Sequence, residues 1–114
     1  MAAEGKEMSG MEFTVHLDAR VGVLSPDGET SDRLLIALED LQTRQQLAAP
    51  AASEDSGAGT VGATFCLDAE DAYQAATRAT ALFVQALRSA GVNGHAPLVG
   101  MQVEEEHEEA AALG

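Results

Sequence analysis

The chain of 114 residues is poor in several residue types, and each shortage excludes a class of structure. Cys66 is the single cysteine, so no internal disulfide forms and nothing points to an oxidising compartment. Tryptophan is absent and aromatic residues make up only 4% of the chain, so a core must be built mainly from aliphatic side chains. No apolar run approaches the roughly twenty residues of a membrane-spanning helix, and the N-terminus lacks a signal-peptide pattern. We therefore expect a cytoplasmic protein.

Basic residues are also scarce. Lysine and arginine together number 6 against 19 aspartates and glutamates, which gives a net charge of −13. Several of these acids lie in residues 104–109, but the remaining chain is still acidic. Because affinity for nucleic acid rests mainly on cationic contacts to phosphate, direct binding to DNA or RNA is not expected. The same charge argues against an anionic membrane surface.

The chain contains one internal repeat. His16-Leu17-Asp18-Ala19 and Cys66-Leu67-Asp68-Ala69 end two segments in which apolar and polar residues alternate, fifty positions apart. Alternation with a period of two predicts half-buried strands over residues 11–18 and 60–67. Each is followed by an Ala/Leu-rich segment with helical spacing and then by a weaker strand. The repeat therefore predicts two β-α-β units in tandem.

The intervening segments fit this order. Thr30, Ser31 or Asp32 is expected to cap the N-terminus of the first helix. Asp68 and Asp71 resemble a capping box at the start of the second helix. Gly91 is expected to end the second helix in a left-handed cap. The alanines and Pro50 of residues 45–53 place any strand there at a sheet edge. A final strand is predicted over residues 98–103.

These elements predict an α+β fold of the ferredoxin-like β-α-β-β-α-β type. Right-handed crossovers give a four-stranded antiparallel sheet of order 4-1-3-2 with both helices on one face. Residues 11–103 form the single domain, residues 1–10 a disordered leader and residues 104–114 an acidic, disordered tail. The predicted core comprises Phe13, Val15, Leu17, Leu34, Leu38, Leu41, Phe65, Leu67, Leu82, Phe83, Leu87, Val99 and Met101.

The sheet face away from the helices is the candidate binding surface. It would carry Thr14, His16, Thr60, Gly62, Thr64 and Cys66, of which we select Thr14, His16, Thr64 and Cys66 as site residues. Either this face is simply solvated or a second copy or a partner protein covers it. Because strands one and three run antiparallel and both residues lie near strand ends, His16 and Cys66 are expected at opposite ends of the sheet. That placement predicts no metal or thiolate site.

No enzymatic motif stands out. The central strands lack the exposed aromatics with which this fold reads RNA, and the paired cysteines of its metallochaperones are missing. Arg20 stands where acylphosphatases carry an arginine, but without a phosphate-cradling loop. The His107 region is expected to be a solvated acidic tail. With no nucleophile–base pair of defensible spacing, we expect no catalytic residues, no cofactor and no bound metal.

Two resemblances bear on function. Asp18 to Leu24 resembles the strand-to-helix turn of ACT domains, which bind amino acids at dimer interfaces, although residues 25–28 interrupt it here. The pattern from Met11 to Glu106 is similar to small uncharacterised ferredoxin-like proteins of actinobacteria and their mobile elements, a purely architectural resemblance. The leading hypothesis is a non-catalytic protein-interaction or assembly module, homodimeric through the open sheet face. The alternatives are an acidic decoy inhibitor of a nucleic-acid-binding protein and an ACT-like small-molecule sensor.

Overall fold

The computed structural model describes residues 11–22, 24, 28–92 and 96–106. The predicted leader over residues 1–10 and the tail beyond residue 106 lie outside this range. The elements, in chain order, are β1 (Met11–Arg20), α1 (Glu29–Thr43), β2 (Ala48–Asp55), β3 (Thr60–Ala69), α2 (Ala72–Ser89) and β4 (Leu98–Glu105). β4 therefore continues into the segment that the sequence assigned to the acidic tail.

The four strands form one antiparallel sheet in the order β2-β3-β1-β4. Read from the β4 edge, this is the series 4-1-3-2. The two strands with the clearest alternation, β1 and β3, are the central ones. β2 is an edge strand, as Pro50 and the alanines around it indicated.

One face of this sheet packs against both helices. The odd-numbered residues of β1 from Phe13 onward and those of β3 are buried there and share a single core with apolar residues of α1 and α2. Because successive side chains of a strand point to opposite faces, the even-numbered residues of β1 and β3 form the other face. We call this helix-free surface the open face.

Two members of the predicted core are misplaced. Val99 is 44% exposed and Met101 is 37% exposed, whereas all the other predicted core residues are buried. Asp18 pairs with Gly100 and Ala19 with Leu98, so Val99 lies in a register irregularity and has no partner on β1. Such a bulge breaks the two-residue alternation. Met101 keeps its place opposite Leu17, but it lies on an edge strand that only one neighbour covers.

The first helix is capped in a way the sequence did not suggest. Its N-cap is Gly28 in the left-handed region with φ 78°, and no side chain of Thr30, Ser31 or Asp32 caps it. Instead, the amide of Ser31 donates a hydrogen bond of 2.7 Å to the carboxylate of Glu54 on β2. An acidic group is favourable at this helix end. The cap comes from a residue distant in sequence.

The second helix has local caps at both ends. Asp71 is the N-cap and accepts a 2.8 Å hydrogen bond from the amide of Gln74, so Asp68, which lies on β3, has no part in the cap. At the other end Gly91 has φ 83°, its amide donates to Arg88, and the amide of Val92 donates to Leu87. This is the Schellman pattern, and it confirms the predicted role of Gly91.

The cap assignment of the second helix is testable by mutation. Asp71→Ala removes the acceptor for the Gln74 amide and is expected to lower the free energy of unfolding by about 1 kcal/mol. Asp68→Ala is the matched control, and its expected change is within about 0.5 kcal/mol because no cap depends on that side chain. Urea denaturation of both variants measures the difference. Equal losses would contradict the assignment.

Candidate functional site

The structure brings the four predicted site residues together in the centre of the open face. Thr14 is paired with Cys66 and His16 with Thr64, on adjacent even-numbered positions of β1 and β3. All four side chains are half-buried. Each of the two pairs is joined across the strands by a side-chain hydrogen bond.

The predicted separation of His16 and Cys66 is wrong. The two strands are antiparallel, but their register places His16 opposite Thr64, and Cys66 follows Thr64 by one step on the same face. His16 and Cys66 are thus diagonal neighbours, a relation in which side chains on a sheet remain within reach of each other. The direction of the strands alone could not show that His16 and Cys66 are neighbours, because their distance depends on the register of β1 and β3.

His16 links a hydroxyl to a carboxylate. Its Nδ1 lies 2.7 Å from Oγ1 of Thr64, and its Nε2 lies 3.0 Å from Oδ2 of Asp18. A carboxylate only accepts hydrogen bonds, so Nε2–H donates to Asp18. In the neutral ring Nδ1 is then the acceptor, and the Thr64 hydroxyl donates to it. No nucleophile–base pair was expected from the sequence, but the structure contains one hydroxyl–imidazole pair, Thr64 and His16.

Thr14 extends the network on the other side of the site. Its hydroxyl donates a 2.5 Å hydrogen bond to Oε2 of Glu106, and its oxygen lies 3.5 Å from Sγ of Cys66. Since the single hydroxyl proton goes to Glu106, the thiol of Cys66 is the donor to Thr14. The described part of the chain contains no buried side-chain nitrogen or oxygen atom without a hydrogen-bond partner.

Two glycines make room for Asp18. Gly62 on β3 is its cross-strand partner on one side and Gly100 on β4 is its partner on the other. A Cβ atom at Gly62 would overlap Oδ1 of Asp18 and lie 3.1 Å from the carbonyl oxygen of Leu17. The missing side chain at Gly62 therefore allows the carboxylate to lie beside His16.

Carboxylates surround this neutral centre at both ends of the open face. The strand pairings place Glu12, Asp68 and Glu106 beyond Thr14 and Cys66, and Glu104 beside Thr14. Asp18 and Asp55 lie toward the opposite end, where Arg20 is the accompanying base. We call these acids the acidic margin, which comprises Glu12, Asp18, Asp55, Asp68, Glu104 and Glu106.

Sequence reasoning missed Asp18, Gln102 and Glu104 as part of the site. Gln102 pairs with His16 and Glu104 with Thr14, so β4 contributes the third column of this surface. The alternation of β1 did indicate that Asp18 shares a face with His16. By contrast, the contribution of β4 depended on its register, which a bulge shifts.

The chemistry of the Asp18–His16–Thr64 chain can be assessed from the topology. Carboxylate, imidazole and hydroxyl in this order can activate a nucleophile. Catalysis of acyl transfer also requires N–H donors directed at the developing oxyanion. Thr64 lies within β3, which is paired with β1 and β2 on its two sides, so the backbone amides of this strand are engaged in the sheet.

Within residues 11–22, 24, 28–92 and 96–106, no three His, Cys, Asp or Glu side chains are grouped to hold a metal ion. His95 and His107 lie outside these ranges. Arg20 is exposed at the end of β1. In the region resembling ACT domains, Gly22 and Leu24 precede α1, which begins only at Glu29. None of the described helices is long and apolar enough to span a membrane.

Comparisons with known proteins leave the family open. No protein-family model matches the chain, and no curated protein matches it. Among solved structures, one similar chain belongs to a protein classed as an amidohydrolase/peptidase from Burkholderia cenocepacia, with 19% sequence identity and a TM-score of 0.32. The match covers 86% of this chain but only 27% of the other. A TM-score this low does not establish a common fold, and no function follows from it.

Proposed function

We propose that the protein is a non-catalytic interaction module of the ferredoxin-like type that binds a protein partner in the cytoplasm through its open face. One observation carries the proposal. The helices cover one side of the sheet, while the other side presents a half-buried, hydrogen-bonded centre of Thr14, His16, Thr64 and Cys66. Hydroxyl, imidazole and thiol groups without net charge tolerate burial in an interface better than the charged side chains of an ordinary solvated surface.

The acidic margin favours one kind of partner. Acids lie at both ends of the open face, so stacking two copies face to face opposes carboxylates in either orientation. Like charges in apposition are unfavourable at interfaces. A partner with a basic surface meets the margin with complementary charge and places a neutral patch on the centre. A partner of this kind also fits the second candidate function, an acidic decoy that occupies the surface of a nucleic-acid-binding protein.

The open-face proposal predicts the effect of a double substitution. Thr14→Arg with Thr64→Arg places two long cationic side chains in the centre of the face and is expected to abolish capture of the native partner. Both side chains point away from the helices, so the circular dichroism spectrum is expected to be unchanged. The measurement is affinity capture from the native host with quantitative mass spectrometry.

The matched control makes the same change on the helices. Thr43 and Thr77 are exposed, and each donates its hydroxyl to a carbonyl of its own helix. Thr43→Arg with Thr77→Arg adds the same charge and should retain the partner. If the open-face variant retains it as well, the proposed function is wrong. Loss of the partner between about 50 and 200 mM salt identifies the decoy, because exposed charge contacts are screened over that range.

A further inference from the structure

β4 is an edge strand, and no other strand of the described residues pairs with its outer side. The amide of Glu106 donates to the carbonyl of Glu12, its cross-strand neighbour on β1. In an antiparallel pair the hydrogen-bonded positions alternate, so Gly100, Gln102 and Glu104 also direct their backbone groups toward β1. The amides and carbonyls of Met101 and Val103 consequently point outward from the sheet.

Exposed apolar side chains are concentrated along the same strand. Leu98 is 40% exposed, and Val99 and Met101 are exposed to a similar degree. The other large exposed hydrophobic residues of the described chain, Met11, Ile36 and Tyr73, are on other elements. An exposed edge with apolar side chains is a template for another strand.

The opposite edge of the sheet is not equivalent. In β2, Pro50 has no backbone N–H to donate, Ala49 has φ 52° and the register is irregular between Ala48 and Ala51. Pairing of β4 with β2 of another molecule, which would propagate into a filament, is therefore disfavoured. Pairing of β4 with itself around a twofold axis uses the regular edge twice and closes the assembly.

We propose that β4 of one molecule pairs antiparallel with β4 of a second copy to form a continuous eight-stranded sheet. More than one register joins the outward-facing backbone groups without using the bulge. Among these, the register with Met101 opposite Val103 of the partner copy keeps the acids of the two strands farthest apart. In this register Glu104 lies opposite Gly100, and the two Gln102 side chains meet at the twofold axis. The acids of each strand therefore face the uncharged half of the other, which avoids like-charge pairs.

This dimer leaves the open face of each molecule accessible, and the two open faces join in one extended surface. The inference is thus independent of the proposed function, since it concerns the edge of the sheet. Substitutions of Met101 and Gln102 on β4 test the dimer. The open-face variant Thr14→Arg with Thr64→Arg separates the dimer hypothesis from the proposed binding of a partner protein. That variant should lose the partner protein but keep the dimer.

Analytical ultracentrifugation tests the dimer directly. The wild-type chain is expected to sediment at twice its mass of 11.8 kDa, and Met101→Glu to sediment as a monomer. Met101→Pro is expected to do the same, because it removes an outward N–H without affecting the bonds between β4 and β1. Ile36→Glu on the exposed surface of α1 makes the same apolar-to-acidic change and should remain dimeric. A monomeric wild type, or dimeric Met101 variants, would overturn the proposal.

A cysteine substitution tests the register. With Cys66→Ser as background, Gln102→Cys places two thiols in a directly opposed, non-hydrogen-bonded pair, where the Cα atoms are about 4.5 Å apart and a disulfide is sterically allowed. Mild oxidation should convert most of the protein to a cross-linked dimer. Gln42→Cys, on the exposed surface of α1, should not cross-link. Absence of the Gln102 cross-link in a dimeric protein would refute this pairing.

Discussion

Phe65→Ala is expected to lower the free energy of unfolding by about 3–5 kcal/mol, because it deletes a large aromatic side chain from a closely packed interior. Phe65 lies on a central strand, is fully buried and belongs to the one hydrophobic cluster shared by the sheet and both helices. A domain of this size has only about 5–15 kcal/mol of stability in total. Guanidinium denaturation at 25 °C gives the value.

Met101→Ala is the control for this prediction. The residue belongs to the core in the sequence-based prediction, but it lies at the edge of the sheet and remains 37% exposed. Its truncation in the monomer is expected to cost about 1 kcal/mol or less, well below a core substitution. The measurement is best made at a low protein concentration at which the proposed dimer is dissociated, so that the loss of dimer contacts does not contribute. Similar losses for Phe65→Ala and Met101→Ala would contradict the core described here.

The sequence predicted those parts of the fold that depend on local pattern. Alternation identified the buried residues of β1 and β3, such as Val15 and Phe65, and helical spacing identified Leu38 and Phe83. The capping role of Gly91 also followed from local chemistry, since a left-handed residue after a helix favours glycine. In each case the residue's environment is set by neighbours a few positions away.

The features that escaped prediction depend on residues distant in the chain. The bulge at Val99 is a property of how β4 meets β1, and Glu54 caps α1 only because β2 brings it there. Similarly, His16 and Cys66 are neighbours through a register that strand direction does not specify. A shift of one residue would have placed the same side chains on opposite faces.

The composition of the site was predictable, but its connections were not. The alternation of the strands predicted that the four site residues share one face, and the structure places them on one face: Thr14, His16, Thr64 and Cys66. The alternation of the strand did not show that Asp18 is the hydrogen-bond partner of His16. That contact requires a neighbouring strand position without a side chain. Gly62 provides that space. The carboxylate, the imidazole and the glycine therefore form one structural unit spanning β1 and β3.

Gly62→Ala is expected to disrupt this unit and to lower the free energy of unfolding by about 1–3 kcal/mol, as overpacking of a buried position does. The new methyl group overlaps Oδ1 of Asp18 and lies 3.1 Å from the carbonyl oxygen of Leu17. The Asp18 side chain can rotate away, but the Leu17 backbone is held in the sheet. We therefore expect the hydrogen bond between Asp18 and His16 to be lost while the strands remain paired.

Gly100→Ala separates this effect from a general cost of adding a methyl group beside Asp18. Gly100 flanks the same carboxylate from β4, but a Cβ atom there would lie 3.5 Å from Oδ2 of Asp18, an ordinary van der Waals distance. The nitrogen chemical shifts of the His16 ring report the bond directly: they should change in Gly62→Ala and stay near wild type in Gly100→Ala. If His16 keeps its wild-type shifts in Gly62→Ala, Asp18 does not depend on the gap at Gly62. Partner capture should follow the same order, since a displaced Asp18 carboxylate alters both the neutral centre and the acidic margin of the open face.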